Sequence, residues 1–311
     1  MTVVDIQKAV EMAAGAKLDN SKYCQGKYYF SSLSHKFTEF VESSVLQEKI
    51  KIGFHHTPVE HMFKVICMKI GIIGCGNIAH HIAKNVGDVV AVYDIYPEKC
   101  GDMNTRICES VQELISLADI IVEAASPAAV EKYAMEIVKS GKSMVIMSIG
   151  GLVDPEFREK LFEAARENGA RIYLPSGAIG GIDLIKTARI AGLRRVLLRS
   201  TKNAKTLGYE VEGKTLIFRG KASEAIKKFP KSVNVSVLLS IVSGMDIDVE
   251  VYADPNAREN VHEIVVEGEF GVAEIKVKNK PSPANPRTSY LAAFSPVYLL
   301  NSLGDVIRMG V

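Results

Sequence analysis

A glycine turn set between an apolar strand and a helix constrains this chain more than any other feature. Gly74-Cys75-Gly76-Asn77-Ile78-Ala79 follows the strand-like run Lys69 to Ile73 and opens a helical pattern from Asn77 to Val86. Gly74 permits a tight turn, Gly76 lets the backbone approach a pyrophosphate, and small Ala79 allows close packing of helix on strand. The helix N-terminus favours negative charge. About twenty residues on, Asp94 closes a second apolar run, Val89 to Tyr93. A carboxylate there accepts ribose hydroxyls and repels a 2′-phosphate. The combination predicts a dinucleotide site in which Gly74, Gly76, Asn77, Ile78 and Asp94 contact the cofactor, with NAD favoured and NADP the alternative. A glycine turn alone would not carry this reading; the strand, helix and acid around it do.

The alternation continues with an apolar strand at Asp119 to Ala124 and a helix capped by Ser126 and Pro127 that runs to Gly141. A strand at Ser143 to Ser148, a helix from Asp154-Pro155 to near Gly169 and a strand at Arg171 to Leu174 follow. This order predicts an α/β fold of Rossmann type, with a doubly wound parallel sheet. Beyond it, Arg194 to Thr201, Leu207 to Arg219, Asp246 to Tyr252, His262 to Phe270 and Val272 to Val277 read as strands. Hairpins are expected at Gly268-Glu269 and Glu212-Gly213. With helices at Asp183 to Ala191 and Val235 to Val242, this second part is an α+β domain with a mixed or antiparallel sheet. A loop from Pro281 to Pro286 leads to an amphipathic helix, Ser289 to Ile307. The domains expected are 68–176 for the dinucleotide, with 288–311 packing back on it, and 177–287 for substrate and dimerisation.

Residues 1–67 hold eight lysines and no arginine, whereas all twelve arginines lie beyond them. Amphipathic helices are expected at Asp5 to Ala14 and Ser34 to Gln47, in either a small appended domain or an extension from a start assigned upstream of Met68. His55, His56 and His61 lack matching Cys or acidic spacing, so no metal is expected. The net charge of +2 gives no electrostatic reason to bind nucleic acid or an anionic membrane. No segment reaches the roughly 18–20 apolar residues of a membrane span, and a cytoplasmic protein is expected. The five cysteines form no CxxC pair. Because a disulfide at Cys75 would obstruct the glycine turn, free thiols in a reducing compartment are expected.

Ligands of open α/β sheets bind along the carboxyl ends of the strands. Ala125 and Ser126 lie at such an edge and are candidates for the nicotinamide half of the cofactor, although a plain helix cap explains Ser126 equally well. Ser148-Ile149-Gly150-Gly151 lies at the next edge with the same ambiguity. Pro175 to Asp183 holds three glycines in five residues, which suits either a hinge or ligand contact. His262 is the sole histidine after the first helix of the sheet, and an imidazole is a natural proton shuttle for oxidation of an amine or alcohol. Lys186, Arg189, Lys231, Arg258 and Arg287 are candidate holders of a substrate carboxylate, and the sequence does not choose among them.

Taken in order, Ile-Gly-Cys-Gly-Asn-Ile at 73–78, Pro-Ser-Gly-Ala-Ile-Gly-Gly-Ile-Asp at 175–183 and Val-Asn-Val-Ser-Val at 233–237 carry a more specific pattern. Asn-Val-His-Glu-Ile with Gly-Glu-Phe-Gly at 260–271, and Pro-Ser-Pro-Ala-Asn-Pro-Arg-Thr-Ser at 281–289, complete it. From Met68 to Val311 the chain resembles the L-aspartate dehydrogenase family. The resemblance implies NAD(P)-dependent oxidation of L-aspartate to iminoaspartate, which hydrolyses to oxaloacetate and ammonia or feeds de novo NAD synthesis. It also implies that His262 is catalytic, that Ala178 and Asn234 contact the cofactor, and that the protein is a homodimer paired through the second sheet. Two other readings stand beside it: a reductase of homoserine dehydrogenase or dihydrodipicolinate reductase type, and an NAD(H)-sensing protein without turnover.

Overall fold

The computed structural model describes residues 68–229, 234–283, 285–305 and 307. The helices expected at Asp5 to Ala14 and Ser34 to Gln47 lie outside the described residues. Strand β1 (Ile70–Ile73) is buried at every position because the sheet is covered on both faces. It leads through the glycine turn into α1 (Asn77–Asn85), then β2 (Val89–Tyr93), β3 (Arg106–Ile107), α2 (Val111–Leu117) and β4 (Ile120–Glu123). The order continues with α3 (Pro127–Lys139), β5 (Ser143–Ile146), α4 (Pro155–Glu167) and β6 (Ile172–Tyr173). The strands lie in the order β3-β2-β1-β4-β5-β6, all parallel. Their carboxyl ends therefore meet along one edge, and the order reverses between β1 and β4, where doubly wound sheets open a crevice.

The start signals of the helices behave as their chemistry requires. Ser126 Oγ accepts from Ala129 N at 3.3 Å, Asp154 Oδ1 accepts from Glu156 N at 3.0 Å, and each cap is followed by proline.

After α5 (Ile182–Ile190), the chain forms β7 (Leu193–Asn203), α6 (Ala204–Leu207), β8 (Thr215–Lys221), α7 (Ala222–Lys228), α8 (Asn234–Ser243), β9 (Asp248–Asp254), β10 (Asn260–Gly268) and β11 (Gly271–Asn279). The second sheet is mixed, in the order β11-β10-β7-β9-β8, with β7 and β9 parallel and the other pairs antiparallel. The expected hairpin at Gly268-Glu269 joins β10 to β11. The strand expected over Leu207 to Arg219 begins later. Asn203 Oδ1 caps Lys205 N, and the left-handed Gly208 closes the short α6, so the polar stretch to Lys214 is a connection. Glu212-Gly213 joins no hairpin, because β8 pairs with β9.

The Pro281–Pro286 segment, expected as a loop, contributes to a ribbon of β12 (Pro281–Ser282) and β13 (Asn285–Ser289). The final helix, α9 (Tyr290–Ser302), ends short of Ile307 and packs on α1, with the Phe294 ring against His81. It buries Ala293, Pro296, Val297 and Leu300, and its apolar residues form no clean stripe.

Two apolar cores follow from this arrangement. One joins α1 and α9 to a face of the parallel sheet through Ile72, Ile82, Val92 and Leu300. The other runs from the opposite face, under α2, α3 and α4, through Leu239 of α8 to the inner face of the second sheet at Leu198, Val249 and Ile264.

Candidate active site

The glycine turn ends β1 at the centre of the parallel sheet. Gly74 has φ +95°, and a Cβ there would stand 2.7 Å from that of Ala125, so both conformation and space exclude a side chain. A Cβ at Gly76 would meet no atom within 4 Å. Gly76 precedes the first turn of α1, which carries no acidic residue. Asp94 follows β2, its Oδ2 accepting from Cys75 N at 2.8 Å and its Oδ1 from Tyr96 N at 2.9 Å. Each oxygen retains a free lone pair for a ribose hydroxyl. An open cradle over a helix N-terminus, with a half-buried carboxylate beside it, fits a dinucleotide. Asn77 donates to Ser282 Oγ at 3.2 Å, and Ile78 packs partly buried against the core under α1.

The expectation of free thiols at this turn is corrected: Cys75 and Cys100 form a disulfide. Cys100 ends the 3-10 turn Pro97–Cys100 just after Asp94, and both cysteines are buried in the apolar core. The bond thus lies beneath the turn and leaves the exposed Gly76 side clear. His80 holds the same segment from α1, with Nδ1 on Gly76 O and Nε2 on Asp102 Oδ1, each at 2.8 Å. The bond to the Gly76 carbonyl, opposed by partial burial and aided by Asp102, raises the His80 pKa.

At the ends of β4 and β5 an acid hidden in the apolar run organises the edge. Glu123 is fully buried, and its Oε1 accepts from Ala125 N and Ser126 N at 2.8 Å and from Ser148 Oγ at 2.9 Å. Its Oε2 accepts from Ser148 N at 2.9 Å. Burial pushes the carboxyl up in pKa, against the pull of these bonds. Ala125 and Ser126 are therefore fixed in one loop conformation by a residue that the apolar pattern concealed. Its signal was a charged side chain in a run suited to burial on both faces.

Two tethers connect this edge to the second part of the chain. Asn77 reaches Ser282, as above. Asn234, at the start of α8, accepts from Gly150 N at 2.9 Å and donates to Met147 O at 3.2 Å. Ala178 gives its carbonyl to Nδ2 of the buried Asn279 at 2.8 Å. Asn279 is the register partner of Asn260 on β10, two residues before His262. Asn234 thus engages backbone just beyond β5, whereas the Ala178 carbonyl is held by a side chain of the second part.

His262 lies opposite Ser200 on β7, and its Nδ1 stands 3.0 Å from Ser200 Oγ. Only 4% of the residue is exposed. Burial, with a smaller contribution from the charge of Lys202, pushes the imidazole down to about 4, so the ring is neutral at neutral pH. With Nδ1–H donating to Ser200, Nε2 keeps the lone pair that accepts a proton.

Of the expected carboxylate holders, Lys186, Arg189 and Arg258 are exposed. Lys231 and the side chain of Arg287 lie outside the described residues. No group of three or more His, Cys, Asp or Glu suited to a metal occurs among the described residues.

The chain matches two protein-family models: "Homoserine dehydrogenase, NAD binding domain" over residues 74–175 and "Aspartate dehydrogenase, C-terminal" over residues 183–303. It is 46% identical to the L-aspartate dehydrogenase of Methanospirillum hungatei over 78% of this chain and 99% of that one. The enzyme of the same name from Methanothermobacter thermautotrophicus is 41% identical, over 79% of this chain and 100% of the relative. Among solved structures, the aspartate dehydrogenase of Thermotoga maritima superposes with a TM-score of 0.69 at 29% identity, covering 78% of this chain and 99% of that one. With a parallel sheet bearing the dinucleotide turn and a mixed sheet bearing His262, the chain belongs to the L-aspartate dehydrogenase family.

Proposed function

We propose that this chain oxidises L-aspartate to iminoaspartate with NAD, NADP being the alternative, and that the product supplies de novo NAD synthesis or hydrolyses to oxaloacetate and ammonia. The observation that carries the reading is the neutral, buried His262 on the inner face of a sheet tethered to the dinucleotide edge. Gly74, Gly76, Asn77, Ile78 and Asp94 hold the adenosine and pyrophosphate half. Ala125, Ser126, Ala178 and Asn234 line the nicotinamide half. When bound, NAD supplies the hydride acceptor.

The chain's own residues do the rest. Ser200 fixes the His262 tautomer, leaving Nε2 to take the proton that the substrate ammonium must lose before its lone pair can form the C=N bond. Glu123 and Asn234 hold the β4 and β5 loops in one arrangement, and such orientation contributes several kcal/mol, about 7–11 in the best intramolecular cases. Burial of His262 keeps water from competing for that proton.

The division expected from the sequence is retained: 68–176 with 288–311 for the cofactor, and 177–287 for substrate and dimerisation. The packing of α9 on α1 supports the return of the last segment. A homodimer paired through the second sheet is part of this reading, as the family resemblance implies. A cytoplasmic site agrees with the need for a dinucleotide pool. Among the described residues no helix is long and apolar enough to cross a membrane.

The test is NADH formation by the purified chain with L-aspartate and, separately, homoserine. Turnover of aspartate alone is expected. Turnover of homoserine alone would sink the assignment, and tight NADH binding without turnover of either would favour a sensor.

A further inference from the structure

The chemistry above leaves a half-buried lysine, Lys202, without a role. Lys202 lies two residues beyond Ser200 on β7, so its side chain leaves the sheet on the face that carries Ser200 and His262. With Ser200 and Ser236 it lines a small cavity walled by Leu207, Phe229 and Val251. The space inside is about 20 Å³, room for one water-sized group. Ser236 stands in the first turn of α8, two residues after Asn234, whose side chain grips the backbone at Met147 and Gly150. The cavity therefore adjoins the helix turn that reaches the dinucleotide edge.

Among the described residues no carboxylate pairs with Lys202. The acid nearest in register, Asp254, pairs with Asn203 on the opposite face and accepts from Asn256 N, while Glu250 and Glu263 on that same face are engaged by Arg199, Arg219 and Lys276. Burial pushes the Lys202 ammonium down to about 8. An unpaired cation held in an apolar wall opposes folding. Its neighbours in the cavity are two hydroxyls, each able to donate to an anion.

We propose that Lys202, with the hydroxyls of Ser200 and Ser236, receives a carboxylate of the substrate beside His262. The volume admits one carboxylate oxygen, so the rest of the acid stays outside the cavity. Ser200 serves both partners, its oxygen accepting from His262 Nδ1–H while its own proton points to the anion. This inference rests on the reading of His262 as the acid–base group, but its test reads binding and not turnover.

The test is calorimetric titration of the NADH-loaded protein with succinate, a dicarboxylate that carries no amine to oxidise. Lys202→Met is expected to weaken succinate binding about ten- to hundredfold, the scale of a lost charge-assisted hydrogen bond. NADH affinity is expected to stay unchanged, and the unfolding midpoint of the ligand-free variant to rise, because methionine fills the site without a charge. Lys202→Arg is expected to retain part of the succinate binding. Unchanged succinate binding in Lys202→Met, no succinate binding by the wild type, or a methionine variant that does not fold would each overturn the assignment. If succinate binds through Lys202 but aspartate does not turn over, the proposed reaction fails and the anion site stands.

Discussion

The two sheets hold their functional groups by different means. Along the edge of β1 to β6, most groups are placed by residues close to them in the chain: Asp94 is held by the amides of Cys75 and Tyr96, and Ser126 caps its own helix. In the second sheet, His262 depends on Ser200, 62 residues away, and Asn234 reaches Gly150 across 84 residues. A site made of local turns leaves a motif in the sequence. A site made of strand register leaves single polar residues in apolar strands, and their meaning appears only when the strands are paired.

The sharpest way to separate the two regions is His262→Ala. Its turnover is expected to fall by about 10²–10⁴-fold, the scale of losing a general acid or base, while fluorescence titration of NADH gives an unchanged Kd. A matching loss of NADH affinity would break the distinction.

On the other side, Cys100→Ser removes a link that spans 25 residues. The variant is expected to lose about 3 kcal/mol of unfolding free energy in denaturant titrations. The same loss should follow when reductant is added to the wild type, and a variant as stable as the oxidised wild type would show that the turn needs no such tie.

The third prediction uses acid. Folded His262 titrates near about 4, below its ordinary value of 6.5. Between these values the unfolded chain binds a proton that the folded chain does not, so this contribution to stability is whole above pH 6.5 and lost as pH falls to about 4. It is worth roughly 3 kcal/mol. Urea midpoints measured across that window should fall less steeply for His262→Gln than for the wild type, and equal slopes would remove His262 as the cause.

The smallest effect is expected at Asp94. Asp94→Ser removes the charge facing a 2′-phosphate and should move the NADP-to-NAD ratio of kcat/KM toward NADP by roughly tenfold. An unchanged ratio would place cofactor choice elsewhere.

The same contrast explains what the sequence made legible. The parallel order, the glycine turn and the capped helices follow from patterns a few residues long. The apolar run Asp119 to Ala124 predicts a strand buried on both faces, as Ile120–Glu123 is, yet that pattern conceals the four hydrogen bonds that Glu123 accepts at its end. The glycine turn argues for a free Cys75, whereas its partner arrives from below, on a turn that no periodicity announces. Leu207 to Arg219 has strand-like composition, but an asparagine cap at Asn203 and the left-handed Gly208 prevail locally. Lys202 carries no signal in the sequence because a lysine in a strand is ordinarily solvated, and its partial burial depends on α7 and α8 closing over the inner face of the sheet.

The two glycines of the first turn look alike in the sequence and answer to different selection. Gly74 is demanded by the polypeptide, since its φ of +95° and the Ala125 side chain leave no alternative. Gly76 is demanded by nothing in the polypeptide, because a methyl group there would project into open space. A mutational library sorted only for folded protein should therefore purge substitutions at Gly74 and accept alanine at Gly76. The same library sorted for dinucleotide binding should purge both, and the difference between the two sorts would record, in the protein's own tolerances, the outline of a molecule the chain itself does not contain.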